Sequence, residues 1–351
     1  MIERPIINRY YPPAQARPAP LEKLRRKRVT KRVHQDVFYV LEELYDLGLS
    51  KQLLALARPN LSWSIVRLLR VFAICALVWT MLFFSLHFGS GFWWLLPLML
   101  LLLGIQQLAL AKHLHDTAHG NLALNRPSTF MKKLCGAFGV QPKLLWNDLI
   151  RDWVITPLLF QQSQQYMQEH QSHHAYLGFE AYDEEKLPPK GEGLGFMSVW
   201  CSYLCSASRF WSHVLGHLST YRHVDWYRLL LFWSVFLLLA WSIGGRAFAL
   251  DGFIIWQGAR VFVYYPLRMV TELCDHHGLR PGEMIAYTRS MPGGWFGACF
   301  YPDNDRYHVA HHLFPKIPLA HLKQAHHILL KCPLYARGRH FNQVSDLMKS
   351  F

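Results

Sequence analysis

The chain has 351 residues, 52% of them hydrophobic and only 17% charged, with 13 Trp and 16 Tyr. A charged share so far below the rough quarter of soluble globular chains argues against an ordinary cytosolic protein and for a bilayer protein with aromatic residues at its interfaces. The formal net charge of +14 lies beside apolar runs and not on any nucleic-acid-reading module, so it reads as membrane topology and excludes nucleic acid as a partner.

Seven Cys, scattered without a CxxC pair, form no disulfide framework. The first twenty residues carry Pro5, Pro12, Pro13, Pro18 and Pro20 and predict an extended tail; no signal-peptide core follows Met1. A basic run, Arg25, Arg26, Lys27, Arg28, Lys31 and Arg32, leads into Val33, Val37, Val40, Leu41, Leu44 and Leu47. That spacing is an amphipathic helix, which either lies on an anionic leaflet or packs on protein.

Residues 71–88 and 92–111 contain no Lys, Arg, Asp or Glu, and each is long enough to cross a bilayer. With Gly89-Ser90-Gly91 as an uncharged turn, and Arg67, Arg70 and Lys112 at the outer ends, they predict a transmembrane hairpin whose ends are cytoplasmic. A second hairpin is expected over 229–270, interrupted by Gly244, Gly245 and Arg246 and carrying Arg260 and Arg268, with Arg222, Arg228 and Arg280 on its flanks. Arginine at that depth must snorkel or face protein. Between the hairpins, the apolar stretch 194–218, broken by Arg209, His213 and His217, predicts one helix in the interface plane.

The 20 His decide the chemistry. His115 and His119, four apart, share a helix face directly after the second span. His170, His173 and His174 repeat a spacing that recurs in His308, His311 and His312; each triplet puts at least two imidazoles on one face. All three clusters fall outside the spans, on the side that the charge pattern makes cytoplasmic. Eight imidazoles suit two irons with positions left open for dioxygen, whereas a zinc hydrolase needs about three protein ligands and soluble di-iron bundles use Glu and Glu-x-x-His pairs that are absent. His213, His217, His321, His326 and His327 read as structural, and His113 points off the face of its cluster.

The stretches HDTAH, HQSHH and HVAHHLFP, the last running to Leu313-Phe314-Pro315, resemble the three histidine boxes of the membrane fatty acid desaturase and hydroxylase superfamily, in its usual order, over about 71–332. The resemblance implies an all-α membrane protein with about four transmembrane helices in two hairpins and a cytoplasmic histidine-rich helical cap. It implies two Fe2+ ions held by His115, His119, His170, His173, His174, His308, His311 and His312, with dioxygen as co-substrate. Asp275-His276-His277-Gly278 resembles the family's EHxG segment, so His276 is expected as the ninth ligand, with His277 one residue away. Asp116, Glu169 and Asp275 either orient ligand imidazoles or are solvated acids. Residues 1–66 are expected as a basic tail and amphipathic helix, 67–332 as the desaturase domain and 333–351 as a C-terminal tail.

No haem-binding HPGG sequence is fused to the chain and its cysteines lack iron–sulfur spacing. Electrons are therefore expected from a separate ferredoxin, rubredoxin or b-type cytochrome with its reductase. Lys316, Lys323, Lys331, Arg337 and Arg339 are expected either to dock that donor or lipid head groups, or to be ordinary positive-inside charge. The reading is a dioxygen-dependent acyl-lipid or acyl-thioester desaturase in an inner membrane if bacterial. A hydroxylase or ketolase acting on a lipid, sterol or carotenoid is its rival, and a membrane metal carrier a remote one, since carriers place ligands near the bilayer midplane.

Overall fold

The structure, a computed structural model, describes residues 35–88, 92–123, 144–179, 195–215, 221–279 and 283–351, with positions 129, 132, 133 and 183. The proline-rich segment, the basic run 25–32, the Gly89-Ser90-Gly91 turn, His217 and Arg280 lie outside the described residues, as does the side chain of His213.

The chain begins with α1 (Gln35–Asp46) and α2 (Ser50–Ala55), then enters the apolar helices α3 (Leu61–His87) and α4 (Phe92–Ala118). Asn60 caps α3 by accepting the Trp63 N–H at 3.0 Å, the usual way to satisfy a first-turn donor. Helix α3 therefore starts a full ten residues before the expected span, Arg67 and Arg70 being its first turns. Its buried stripe, Leu68, Val71, Cys75, Val78 and Leu82, recurs every three to four residues, while Val66, Leu69, Leu77 and Phe84 on the other side are exposed. A helix apolar on both its packed and its open face is built for lipid.

Next come α5 (Leu145–Ile150), a π-helical turn (Arg151–Ile155), α6 (Thr156–Leu159) and α7 (Ser163–Tyr176). Two short helices, α8 (Phe196–Leu204) and α9 (Ala207–Leu215), replace the single interfacial helix expected over this stretch. Val199, Tyr203 and Val214 on them are buried against Tyr265, Met269 and Leu273.

A long apolar segment follows: α10 (His223–Ala259), a second π-helical turn (Arg260–Tyr264) and α11 (Tyr265–His276). Among the described residues, three segments are long and apolar enough to cross a membrane: Leu61–His87, Trp94–Ala118 and His223–His276. The third is not straight. Gly245 takes φ 80° and ψ 179°, and the rings of Trp233 and Phe253 stand 5.0 Å apart. Twenty residues of straight helix would separate them by about 30 Å, so the chain doubles back at Gly245, where a positive φ favours glycine.

Close approach between these helices depends on missing side chains. A Cβ on Gly104 of α4 would collide with the Val263 side chain, and one on Gly252 with the Trp79 ring; small residues let lipid-embedded helices pack tightly. Trp79 is also edge-on to Phe236 at 5.0 Å and Phe248 at 5.5 Å. Arg260 faces protein and not lipid: it is fully buried, donates to the Val214 carbonyl and lies 4.7 Å from the Phe160 ring centroid.

The rest of the described chain packs in two further apolar clusters, one shared with α1 and α2 and one with α11. It comprises β1 (Arg289–Ser290), α12 (Gly294–Phe300), a 3-10 turn (Pro302–Asn304), α13 (His308–Leu313), α14 (Leu319–Leu329), α15 (Pro333–Ala336), β2 (Arg339–His340) and α16 (Val344–Met348). Strands β1 and β2 pair in parallel, Arg289 with Arg339 and Ser290 with His340, a small exception to the all-α expectation. Val37, Val40 and Leu44 of α1 are buried in one core with Leu322, Leu329 and Tyr335, and Asp36 accepts the Ile285 N–H at 2.8 Å. Of the two readings of α1, packing on protein is the one realised. Residues 333–351, expected as a tail, also pack: Tyr335 and Leu347 are fully buried.

Candidate metal centre

Each histidine cluster sits where an element delivers it to the same place. His115 is in the last turn of α4 and His119 just past its end, so a membrane helix carries the first pair. Helix α7, capped by the Gln162 side chain on the Gln165 N–H, carries His170, His173 and His174. The six-residue helix α13 carries His308, His311 and His312, and α11 ends on His276.

The structure brings all nine rings together in two neighbouring groups. Ligand atoms of His115, His119, His170, His174 and His311 lie within 4.8 Å of one another, as do those of His173, His276 and His312. His308 joins the second group, its Nε2 being 3.2 Å from His276 Nε2 and 3.0 Å from His312 Nε2. In the first group His170 Nε2 lies 2.8 Å from His119 Nε2 and 3.1 Å from His174 Nε2, which is itself 3.1 Å from His311 Nε2. His277, the alternative ninth residue, is elsewhere, its ring 5.9 Å from that of Tyr203.

The donor set fits a pair of transition-metal ions. A neutral imidazole has one N–H, so a run of facing Nε2 atoms leaves lone pairs aimed at each other, and a shared cation is what such lone pairs accommodate. Among the described residues, both ring nitrogens of His115 are buried with no hydrogen-bond partner, a costly state for a protein group alone. Burial, then the neighbouring imidazoles, hold His119, His174, His308 and His312 neutral, well below the usual value of 6.5. Neutral imidazole is the form that binds metal.

Polar groups stand close to several of these rings. His173 Nδ1 is 2.9 Å from Asp183 Oδ1, and His276 Nδ1 is 2.9 Å from the Tyr287 carbonyl. Asp275 accepts from the Tyr301 hydroxyl at 3.0 Å; its other oxygen stands 3.8 Å from His308 Nε2, beyond hydrogen-bond reach and on the side of the ring that faces His276 and His312. The other two acids expected either against the rings or in solvent do something else. Asp116 is buried and takes the Leu319 N–H at 3.4 Å, and Glu169 accepts from Gln165 at 2.6 Å.

A charged latch joins α3 and α4 to the turn before the third box. Asp303, with a fully buried side chain, meets Arg70 at 3.1 Å, Arg67 at 3.5 Å and His113 at 3.4 Å, and Lys112 meets Asp305 at 2.6 Å. Burial pushes the Asp303 carboxyl up, but the nearby His113 ring, with Arg70 and Arg67, outweighs it and leaves it below the ordinary carboxylate range. Lys316 donates to the His119 carbonyl at 2.6 Å. His326 backs the third box, its ring 4.8 Å from that of Tyr307 and its Nδ1 2.7 Å from the Tyr335 hydroxyl.

Asp183, Asp303 and the Tyr287 carbonyl were not singled out by the sequence. Asp183 is one of three consecutive acids, Asp183-Glu184-Glu185, and looks solvated; a carbonyl acceptor has no residue signature.

Residues 141–344, more than half of the chain, match the family model for fatty acid desaturases. The chain belongs to the fatty acid desaturase family. It is thus an oxidoreductase of the desaturase superfamily, and its matched region holds the second and third boxes and His276, while His115 and His119 precede it. A curated relative, dihydrorhizobitoxine desaturase of Bradyrhizobium elkanii, is 27% identical over 274 residues, which cover 70% of each chain.

Proposed function

We propose that this desaturase-family protein is a membrane-bound, dioxygen-dependent di-iron enzyme that introduces a double bond into an acyl chain. The observation that supports it is the division of nine imidazoles into two adjacent groups. In this reading His115, His119, His170, His174 and His311 hold one ferrous ion, and His173, His276, His308 and His312 the other. When bound, the pair supplies the activation of dioxygen needed to attack an unactivated C–H bond. The protein's own part is to aim the rings, to keep them neutral by burial, and to exclude bulk water from their convergence.

In the same reading, α3, α4 and the two arms that meet at Gly245 make four crossings in two hairpins. Both outer ends and all the boxes face the cytoplasm, and in a bacterium the membrane is the inner one. A separate electron donor completes the cycle, and the exposed Lys323, Lys331, Arg337 and Arg339 offer it or anionic head groups a basic surface.

The relative's name favours desaturation over hydroxylation or ketolation. It is named for dihydrorhizobitoxine, so the acyl chain as substrate rests on the apolar helices that carry the site. Expression in a host of known lipid content, followed by mass spectrometry, tests both points. Products lighter by two hydrogens support desaturation; products heavier by one oxygen point to hydroxylation; an unchanged lipid profile removes the acyl substrate.

A further inference from the structure

We propose that Asp183 is a positioning residue for the second histidine group, holding the ring proton of His173 on Nδ1 so that the Nε2 lone pair faces the metal position. The proposal rests on the di-iron reading above.

The Asp183 side chain is fully buried and uses both oxygens. Oδ1 faces His173 Nδ1 at 2.9 Å, and Oδ2 accepts the Gly178 N–H at 2.7 Å. Gly178, two residues past the end of α7, has φ 79°, a left-handed turn available to glycine without strain. One carboxylate thus reads both the end of the helix that carries His173 and the orientation of its ring. Rotation of the ring, which stands 4.9 Å from that of His276 and 5.0 Å from that of His312, is thereby limited.

The charge matters as well as the shape. An ionised carboxylate only accepts hydrogen bonds, so the nitrogen facing it must carry the proton and the other must be bare. An amide at the same position fails in either orientation. With its oxygen on Gly178 N–H, its NH2 faces His173 Nδ1 and drives the proton to Nε2, where it blocks a metal; turned over, it sets NH2 against the Gly178 N–H. Loss of tautomer control with geometry intact is a known way for such a substitution to disable a histidine, and outer partners of metal-bound histidines typically change affinity by about 10–100-fold.

The test uses the full-length protein in lipid nanodiscs, loaded anaerobically with ferrous iron and followed by iron stoichiometry and Mössbauer spectroscopy. The wild type should take up two irons. Asp183→Asn should retain one and bind the other about 10–100-fold more weakly, with a single component of the spectrum lost. Asp183→Glu should recover part of the second iron, and Asp183→Ser, which keeps an acceptor for Gly178 without a charge, should not. A wild type unable to hold two irons defeats the di-iron reading. Two irons in the wild type, with Asn and Ser variants equal to it, defeat the role of Asp183 and leave that reading standing. If the Asn variant does not fold, a Glu variant binding no better than Ser overturns the proposal.

Discussion

His119 Nε2 and His170 Nε2 lie 2.8 Å apart although 51 residues separate them in the chain. One ring is delivered by the end of a membrane helix and the other by α7, so their meeting is a tertiary fact and not a local one. Because His170 Nε2 also faces His174 at 3.1 Å, the ring has more neighbours than a single N–H or lone pair can satisfy.

Replacing a ring of the first group should therefore remove a metal and not merely loosen the fold. His119→Ala or His311→Ala is expected to lower bound iron by about half and to abolish product formation. Iron assay beside lipid mass spectrometry checks this; full turnover by either variant would take that ring out of the metal site.

Metal-free protein should lose stability in mild acid. His119, His174, His308 and His312 are held neutral well below 6.5 when folded, and His326 down to about 3. In the unfolded chain these residues take up protons once the pH falls below about 6.5. Their contribution is fully present above that value and is lost progressively as the pH falls from it toward the folded-state values, by up to about 1.4 kcal/mol per pH unit for each group. Thermal melts in detergent at about pH 7.5 and about pH 5.5 should show a clear fall; a flat profile would contradict the neutral assignment.

Asp303 offers a clean charge test because its backbone is in the left-handed region, φ 63°, which Asn also tolerates. Asp303→Asn should weaken the latch to His113, Arg70 and Arg67 with little new strain. Arg67 and Arg70 are more than a third exposed, so solvent screening limits the loss, to about 1–3 kcal/mol. Asp303→Ala, which adds backbone strain, should melt lower still. Equal melting points for the Asn variant and the wild type would show the latch to be inert.

Gly104→Ala should strain the contact with the π-helical turn that holds Arg260. The added methyl meets the Val263 side chain and stands 3.1 Å from the Tyr264 backbone nitrogen, and overpacking of this kind costs about 1–3 kcal/mol. A lower melting temperature with iron binding retained is the expected pattern. Unchanged melting would mean that the helices separate freely there.

Much of this was legible in the residues. Charge-free runs located α3 and α4, and the i, i+3, i+4 spacing put the imidazoles on helix faces, because both signals are local and periodic. The doublet His276-His277 was ambiguous in sequence because adjacent residues differ only by the helix phase at which α11 ends. The structure puts His276 in the cluster and His277 outside it. Helix α1 was equally open to lipid or protein, since an apolar stripe says that a face is buried but not by what. Asp183 and Asp303 escaped notice for a related reason: an acid becomes informative only when the fold shows which donor it meets.

Helix α4 runs without a break from its apolar stretch to His115. Deleting one residue from its middle would lower the rings by about 1.5 Å and swing them about 100° around the axis. The distance of the clustered imidazoles from the apolar stretch is thus a matter of counting, and under the proposed function a substrate tail anchored at the water boundary would be measured against the same ruler.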